Sequence, residues 1–481
     1  MYLGIDLGTT SLKVILTDDH LQCVATASAP LTVSRPAPLF SEQNPHHWWN
    51  ALNTAMLELR AKNALEMKKV IAVGLSGQQH GATLLDQSNR ILRPAILWND
   101  GRASVECVSL MQSVPNACDI VGSVIMPGFT APKLGWVKKH EPDIFKKTHK
   151  ILLPKDYLRL LMSGDHATDL SDASGTGWLD VQKRQWSDDL LSACELGVQH
   201  MPQLFEGNAV TGTVQSSVAN AWGLSDRVKI IAGAGDNAAS AMSMGCVNKD
   251  TMVLSLGTSA TIFMATPQFE PNTNAGVHTF CHAVPDFWHH MAVHLNGASC
   301  LTWAAELLHQ DLSQLILSSE KNHHDNSVLF IPYLSGERTP HNNPHATGAL
   351  LGLTHTVNPA TVLQSVLEGI AFGLREGYHA IMKNASSVNE MTVVGGGAKS
   401  HYWGKIIASI LNQPLTYRHS GAVGAAFGAA KLAWLSETQS DPRDSFCMPA
   451  IENVILPEKN WVNHYDDKYF LFQKMYRSIN E

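Results

Sequence analysis

Between residues 2 and 19 the chain alternates apolar and polar positions, with Leu3, Ile5 and Leu7 followed after a break by Leu12, Val14 and Leu16. A period of two is the spacing of half-buried strands, so the stretch predicts a two-stranded hairpin. The bend between the strands is Gly8-Thr9-Thr10-Ser11. Asn-Gly or Gly-Gly would suffice to turn the chain. Here a glycine, three hydroxyls and successive amides stand together, and these are groups that bind phosphate oxygens. Asp6 directly precedes them, and a carboxylate beside a phosphate makes chemical sense when a cation such as Mg2+ lies between. Taken alone, an ordinary turn with a solvated aspartate accounts for the stretch equally well.

About half a chain later "LSLGTS", residues 254–259, repeats "IDLGTT", residues 5–10, again between strand-like runs, with Ser255 in the place of Asp6. Duplicated domains would each begin with such a hairpin. Two halves are therefore expected, 1–245 and 246–481, one bringing metal-related charge and the other only hydroxyls and amides to a shared nucleotide. Between the hairpins the pattern is α/β. Asn44 caps a helix starting at Pro45, with Trp48, Leu52, Met56 and Leu59 on one face. "KKVIAVGLS" reads as a buried strand running into the loop "GQQHG", and "ATLLD" as a further strand. "DRVKIIAGAGDNAASAMSMG" and "EMTVVGGGAKSHYWGKIIASIL" each read as strand, glycine turn and helix. "GAVGAAFGAAKLAWL", residues 421–435, is too short for a membrane span and predicts a helix packed closely against a sheet or nucleotide site. After about residue 437 the chain is polar, with Pro442, Pro449 and Pro457, and no pattern assigns its packing.

Composition narrows the function classes. The chain has 481 residues, 44% of them apolar and 16% charged, with a formal net charge of −7. That acidic balance, without a basic run, gives no electrostatic reason to bind nucleic acid. No positive leader precedes the first strand, and the apolar windows fall short of ~18 residues, so a soluble, cytoplasmic protein is expected. Eight cysteines are scattered without a C-x-x-C pair, which argues for inert thiols. The 23 histidines include three adjacent pairs but no H-E-x-x-H spacing.

The glycine-rich turns carry the remaining chemistry. "GAGDNA", residues 233–238, formally fits the dinucleotide fingerprint G-x-G-x-x-A, but Asp236 would set a carboxylate where a pyrophosphate should sit. The acid suits a base that accepts a proton from a substrate hydroxyl, held ionised by a helix N-terminus. A simple helix cap is the competing reading. "VVGGGAKS", residues 393–400, would let a nucleoside lie flat on its glycines, and no Walker A loop exists elsewhere. Gln78, Gln79 and His80 follow a buried strand, where they could read a polyol. Trp98, Asn99, Asp100 and Arg102 form an aromatic-plus-polar set of the kind that lines sugar pockets.

Together these motifs resemble the FGGY carbohydrate kinases of the actin-like ATPase superfamily, most closely the branch acting on ketopentoses. The resemblance runs over nearly the whole chain: "GIDLGTT", "SGQQHGATLLD", "RPAILWNDGR", "MPGFTAPKLGWVKKHEP", "LLPKDYLRLLMSGDHATDLSDASGT", "AGAGDNAAS", "LSLGTSA", "YLSGERTPHNNPHATGALLGLTH" and "VVGGGAKSHYW". It implies two tandem ribonuclease-H-like domains with a catalytic cleft between them, and an ATP-dependent kinase acting on the C5 hydroxyl of D-xylulose. By resemblance Asp236 is the base, and Gln79, His80 and Asn237, with Arg102, meet the sugar. Asp6 organises Mg2+ together with Asp236. Gly8, Thr9, Thr10, Ser11 and Lys13 face Gly257, Thr258 and Ser259 across the phosphates, and Gly396, Gly397 and Ala398 line the adenosine site. Kinases of this type often pair through the second domain, so a homodimer is expected. Three departures stand out: "GAGD" where "GGGD" is common, Thr361 where the pattern usually has a polar side chain of another type, and Gln79 where some relatives have Met, a change that touches sugar choice more than phosphoryl transfer. A sugar sensor of the same fold would need a DNA-binding arm, and an actin-like chaperone a peptide-binding domain. Neither is suggested by the pattern.

Overall fold

The computed structural model describes residues 1–249, 251–324, 326–383, 388–419, 424–441 and 448–480. Its two main sheets grow from the two expected hairpins. In the first half Tyr2–Leu7 pairs antiparallel with Ser11–Thr17 and parallel with Ala72–Gly77. In the second half Thr251–Leu256 pairs antiparallel with Ala260–Thr266 and parallel with Glu390–Val394. The unit is thus duplicated in topology as well as in motif. The first sheet extends through Lys229–Ile231 and Val210–Thr213 on one side and Cys23–Pro30 on the other. The second runs from His278–Cys281 through Trp288–His294 to Leu415–Arg418 and Ile451–Ile455. The fold is α/β with two such domains.

Helix Pro45–Lys62 forms as the pattern required: the Asn44 side chain accepts from the His46 amide, and Trp48, Leu52, Met56 and Leu59 are buried. They pack with Leu3, Ile5, Val14 and Leu75 in the first core. Residues from about 82 to 205 build a lobe with its own core of Leu84, Ile96, Phe129, Leu134, Ile151 and Trp178. The edge strand His278–Cys281 of the second sheet docks on this lobe, where the Thr279 amide donates to Gly122 O (2.8 Å) and the Cys281 amide to Ser174 Oγ (3.0 Å).

Helix Ala425–Thr438 crosses back to cover the first sheet. A Cβ on Gly4 would lie 1.9 Å from Ala426 O, and one on Gly74 1.9 Å from Ala429 O. Only glycine lets the helix backbone touch the strands. On its other side Gly428 meets helix Asp236–Ser243 as closely, a Cβ there falling 1.8 Å from Ala239 O. The close packing against a sheet that this run predicts is therefore observed, although residues 421–423 lie outside the described residues, as do Pro442 and Cys447.

The segment beyond 437, unassigned from its pattern, includes helix Lys459–Asn480, which buries Tyr465, Tyr469, Phe472 and Tyr476 in the second core. Lys468 Nζ, 2.5 Å from Glu368 Oε2, anchors it. The paired histidines are spread through the fold: His289 and His290 are buried in the second sheet, and His323 stacks on Trp461 at 3.9 Å between ring centroids. Four of the seven described cysteines, Cys107, Cys246, Cys281 and Cys300, are buried, and burial pushes the Cys246 thiol up to about 11. Among the described residues no helix is long and apolar enough to cross a membrane.

Candidate active site

The parallel register of the first sheet aligns three loops. Leu7 stands beside Gly77, and Gly77 beside Gly235, at the carboxyl ends of adjacent strands. The next residues are Gly8 of the hairpin bend, Gln78 of the polyol loop and Asp236. Strands about 4.8 Å apart bring the three loops to one edge, the usual place for ligands in parallel sheets. The second sheet does the same with its own hairpin and the glycine turn: Ser255 stands beside Val394, so Gly257 and Gly395 leave neighbouring strand ends.

The two bends are built alike. The Gly8 amide donates to Ser11 O (3.0 Å), and the Gly257 amide to Ser259 O (2.9 Å). Thr10, Ser11, Thr258 and Ser259 are exposed, while Gly8 and Gly257 are half-buried. Thr9 is tied down: its hydroxyl donates to Gln78 Oε1 (3.0 Å) and accepts from Trp98 Nε1 (3.0 Å), and its carbonyl accepts from Gln43 Nε2 (2.7 Å). Gln78 Nε2 in turn donates to Gln43 Oε1 (2.8 Å). Gln78 therefore braces the bend.

Asp236 is the first residue of helix Asp236–Ser243, whose cap is Gly235, so the cap reading does not hold. Gly233, at φ +83°, makes the preceding turn; a Cβ there would lie 1.9 Å from Leu75 O. Asp236 Oδ1 accepts from the Asn237 amide (2.7 Å) and from Asn237 Nδ2 (3.0 Å), and Nδ2 also reaches Gln79 Oε1 (3.5 Å). Burial first, and the charge of Asp6 second, push the Asp236 carboxyl up to about 7. The expectation of a base held ionised by the helix N-terminus is thus corrected: desolvation outweighs the amide contacts. Asp6 is pushed up to about 6 by burial, opposed first by the neighbouring Ser76 hydroxyl and then by exposed Lys13, its partner across the hairpin.

These two carboxyls fit a divalent cation. Asp6 Oδ1 is buried without a hydrogen-bond partner, and each carboxyl is disfavoured as an anion where it stands. Mg2+ is commonly held by one or two carboxylates with waters and substrate phosphates. Among the described residues no group of three or more His, Cys, Asp or Glu forms a complete protein cage.

His80 adopts φ +66°, a conformation rare for a side-chain-bearing residue. Three contacts hold it: Thr130 Oγ1 (3.1 Å) and Lys133 Nζ (2.8 Å) donate to its carbonyl, and its Nδ1 lies 2.6 Å from Gly175 O. Its ring stacks on Phe129 at 4.9 Å. Burial, then the Lys133 charge, push the imidazole down to about 3, with Arg338 of the second half contributing, so it is neutral. A carbonyl can only accept, which puts the proton on Nδ1 and leaves Nε2 a bare acceptor. Lys133 was invisible in the pattern, because an ammonium on an otherwise amphipathic helix reads as a surface group.

Arg102 is placed differently from its sequence expectation. Its side chain is 1% exposed, with Nη2 2.7 Å from Asp100 Oδ2 and 2.8 Å from Glu42 Oε1, and the guanidinium lies 3.6 Å over the Phe40 ring. Two carboxylates and an aromatic face satisfy the cation internally. Asp100 is buried with it, whereas Trp98 stays 41% exposed beside Thr9.

Gly396 and Gly397 line a cavity of about 510 Å³ with Leu301, Leu312, Ile316 and Trp403. Ala398 lies on the other side of the same turn, in a second cavity of about 310 Å³ shared with Gly395. The first has the size and apolar walls that suit an adenine ring.

The N-terminal domain of the FGGY family of carbohydrate kinases matches residues 1–243, and its C-terminal domain residues 252–436. The chain is 46% identical over 485 residues to the xylulose kinase of Escherichia coli strain K12, covering 100% of this chain and 99% of that one. It is 33% identical over 483 residues to the xylulose kinase of Bacillus subtilis strain 168, covering 98% and 96%. Among solved structures, one titled a xyloylose kinase from Brucella ovis superposes with a TM-score of 0.97 at 43% identity, covering 99% of each chain.

Proposed function

This chain belongs to the FGGY family of carbohydrate kinases, and we propose that it transfers the γ-phosphoryl group of ATP to the C5 hydroxyl of D-xylulose, giving D-xylulose 5-phosphate and ADP. The observation that carries the reading is the chain of contacts from Gln79 through Asn237 to Asp236, beside the phosphate hairpin at one sheet edge. It sets sugar-binding groups next to a carboxyl of near-neutral pKa. The strong likeness to xylulose kinases over the full length supports the same substrate.

Phosphoryl transfer asks a protein chiefly for position and charge stabilisation. His80 Nε2 accepts from a sugar hydroxyl, while Gln79 and Asn237 fix the ketopentose so that its C5 hydroxyl meets Asp236. Asp236 takes the hydroxyl proton as the new O–P bond forms. A base whose pKa lies close to the working pH is well matched to that task. The exposed hydroxyls of Thr10, Ser11, Thr258 and Ser259, with Lys13, receive the phosphate oxygens on bends shaped by Gly8, Thr9 and Gly257. The adenosine lies against Gly396 and Gly397, with Ala398 on the far side of the same turn. Asp6 and Asp236 would hold Mg2+, which when bound would supply charge neutralisation of the phosphates. The two halves, divided near residue 246, exclude water from the cleft between them. The protein works in the cytoplasm and pairs as a homodimer through its second half.

A coupled ADP-release assay with Mg-ATP and D-xylulose, L-xylulose, D-ribulose, L-ribulose, glycerol or no sugar tests the proposal. Turnover highest with D-xylulose supports it. Preference for another polyol moves the substrate, and no stimulation by any sugar overturns the kinase reading.

A further inference from the structure

Behind the base turn lies a group of charges that the reaction does not use. Lys155, Asp156, Arg159, Asp169 and Asp172 all have side chains at 0% exposure. Lys155 Nζ sits 2.6 Å from Asp156 Oδ1, 2.8 Å from Asp169 Oδ1 and 3.1 Å from Asp172 Oδ2, and Arg159 Nε lies 3.7 Å from Asp156 Oδ1. Burying ions is costly, and such a cluster is weak evidence for stability alone. Three acids face two bases. Burial pushes Asp172 well above the usual carboxylate range, and a protonated Asp172 leaves the cluster neutral.

The cluster touches the segment that carries Asp236 at two places. Arg159 donates to Ile231 O (3.0 Å) and to Ala232 O, at the end of the strand before the turn. Asp169 Oδ2 accepts the Ser171 hydroxyl hydrogen (2.5 Å), and Ser171 Oγ accepts from the Gly235 amide (3.1 Å). A hydroxyl has one hydrogen, so donation to Asp169 turns its lone pairs to Gly235. The residue after Gly235 is Asp236. Ser171 also reaches the sugar loop, its carbonyl accepting from Gln79 Nε2 (3.4 Å).

We propose that Ser171 is a positioning residue for the phosphoryl transfer: its hydroxyl, oriented by Asp169 of the buried ion cluster, holds the Gly235 amide and so fixes the Asp236 carboxylate against the sugar hydroxyl. This rests on the reading of Asp236 as the base. A displacement of about 1 Å in a reacting group can cost on the order of 10² in rate. The nucleotide is held by other loops, so its binding is independent of Ser171.

The test is steady-state kinetics of the full chain with D-xylulose and Mg-ATP for Ser171→Ala, Ser171→Gly and Asp236→Ala, with a melting curve for each. Both Ser171 variants are expected to lose about 10- to 100-fold in kcat, with KM for ATP within about twofold and a melting temperature close to that of the parent. The glycine variant serves if the alanine variant does not fold. A kcat within about threefold of the parent, or a loss shared equally by kcat and KM for ATP, overturns the inference. If Asp236→Ala is inactive while both Ser171 variants are normal, only the positioning role falls; if Asp236→Ala is itself active, the base reading falls.

Discussion

The charge of Asp6 bears directly on Asp236: the two residues lie at the carboxyl ends of strands on either side of Ala72–Gly77, and Asp6 adds to the burial that lifts the Asp236 carboxyl to about 7. Catalysis by Asp236 needs its anion. Turnover should therefore fall as pH drops below about 7 when Mg2+ is scarce, and the acid limb should move to lower pH as Mg2+ is raised. A kcat profile at two Mg2+ concentrations checks this; an acid limb independent of Mg2+ would separate the cation from Asp236.

Removing the base should be severe. Asp236→Ala is expected to retain its fold and nucleotide binding while losing at least about 10² in turnover, the usual contribution of a general base. Calorimetric titration with ADP and a single-turnover assay distinguish this from misfolding.

The same two carboxyls should cost stability. A carboxyl whose folded pKa is raised binds its proton more tightly when folded, so the native state is favoured at low pH and loses that advantage as pH rises from about 4 to about 7. Asp236→Asn and Asp6→Asn should therefore melt higher than the parent at pH 8, by on the order of 1–3 °C. The gain should vanish near pH 4. Melting curves at both pH values, without Mg2+, decide the matter.

His80 offers a bare Nε2 to the sugar. Replacing it by alanine should raise KM for D-xylulose at least about tenfold, as expected for a lost hydrogen bond with a buried partner left unpaired, and leave KM for ATP unchanged. Because burial holds the imidazole neutral, down to about 3, the sugar KM should show no histidine-like titration between pH 5 and 8.

Both hairpins, the α/β order and the glycine turn that sets Asp236 at the start of a helix were legible in the sequence, because strand alternation, turn glycines and a carboxylate opening a helix are local signals. What escaped was set by distant partners. Arg102 reads as a surface sugar ligand until Glu42, some sixty positions earlier, is seen beside it. Ser171 and Asp169 join a turn more than sixty residues away, and nothing local to "TDLSDAS" announces it. The terminal helix did leave a trace, since Tyr465, Tyr469, Phe472 and Tyr476 recur at helical spacing. Its many charged and polar neighbours concealed the stripe.

Helix Ala425–Thr438 reaches back across the chain to cover the first sheet. During synthesis the first half must wait, its strands emerging from the ribosome about 350 to 420 residues before the helix that shelters Gly74 and Gly4. Until then one face of a buried sheet stays open, and that interval is where a nascent chain is most exposed to aggregation. A fragment ending near residue 245 would lack that cover for good.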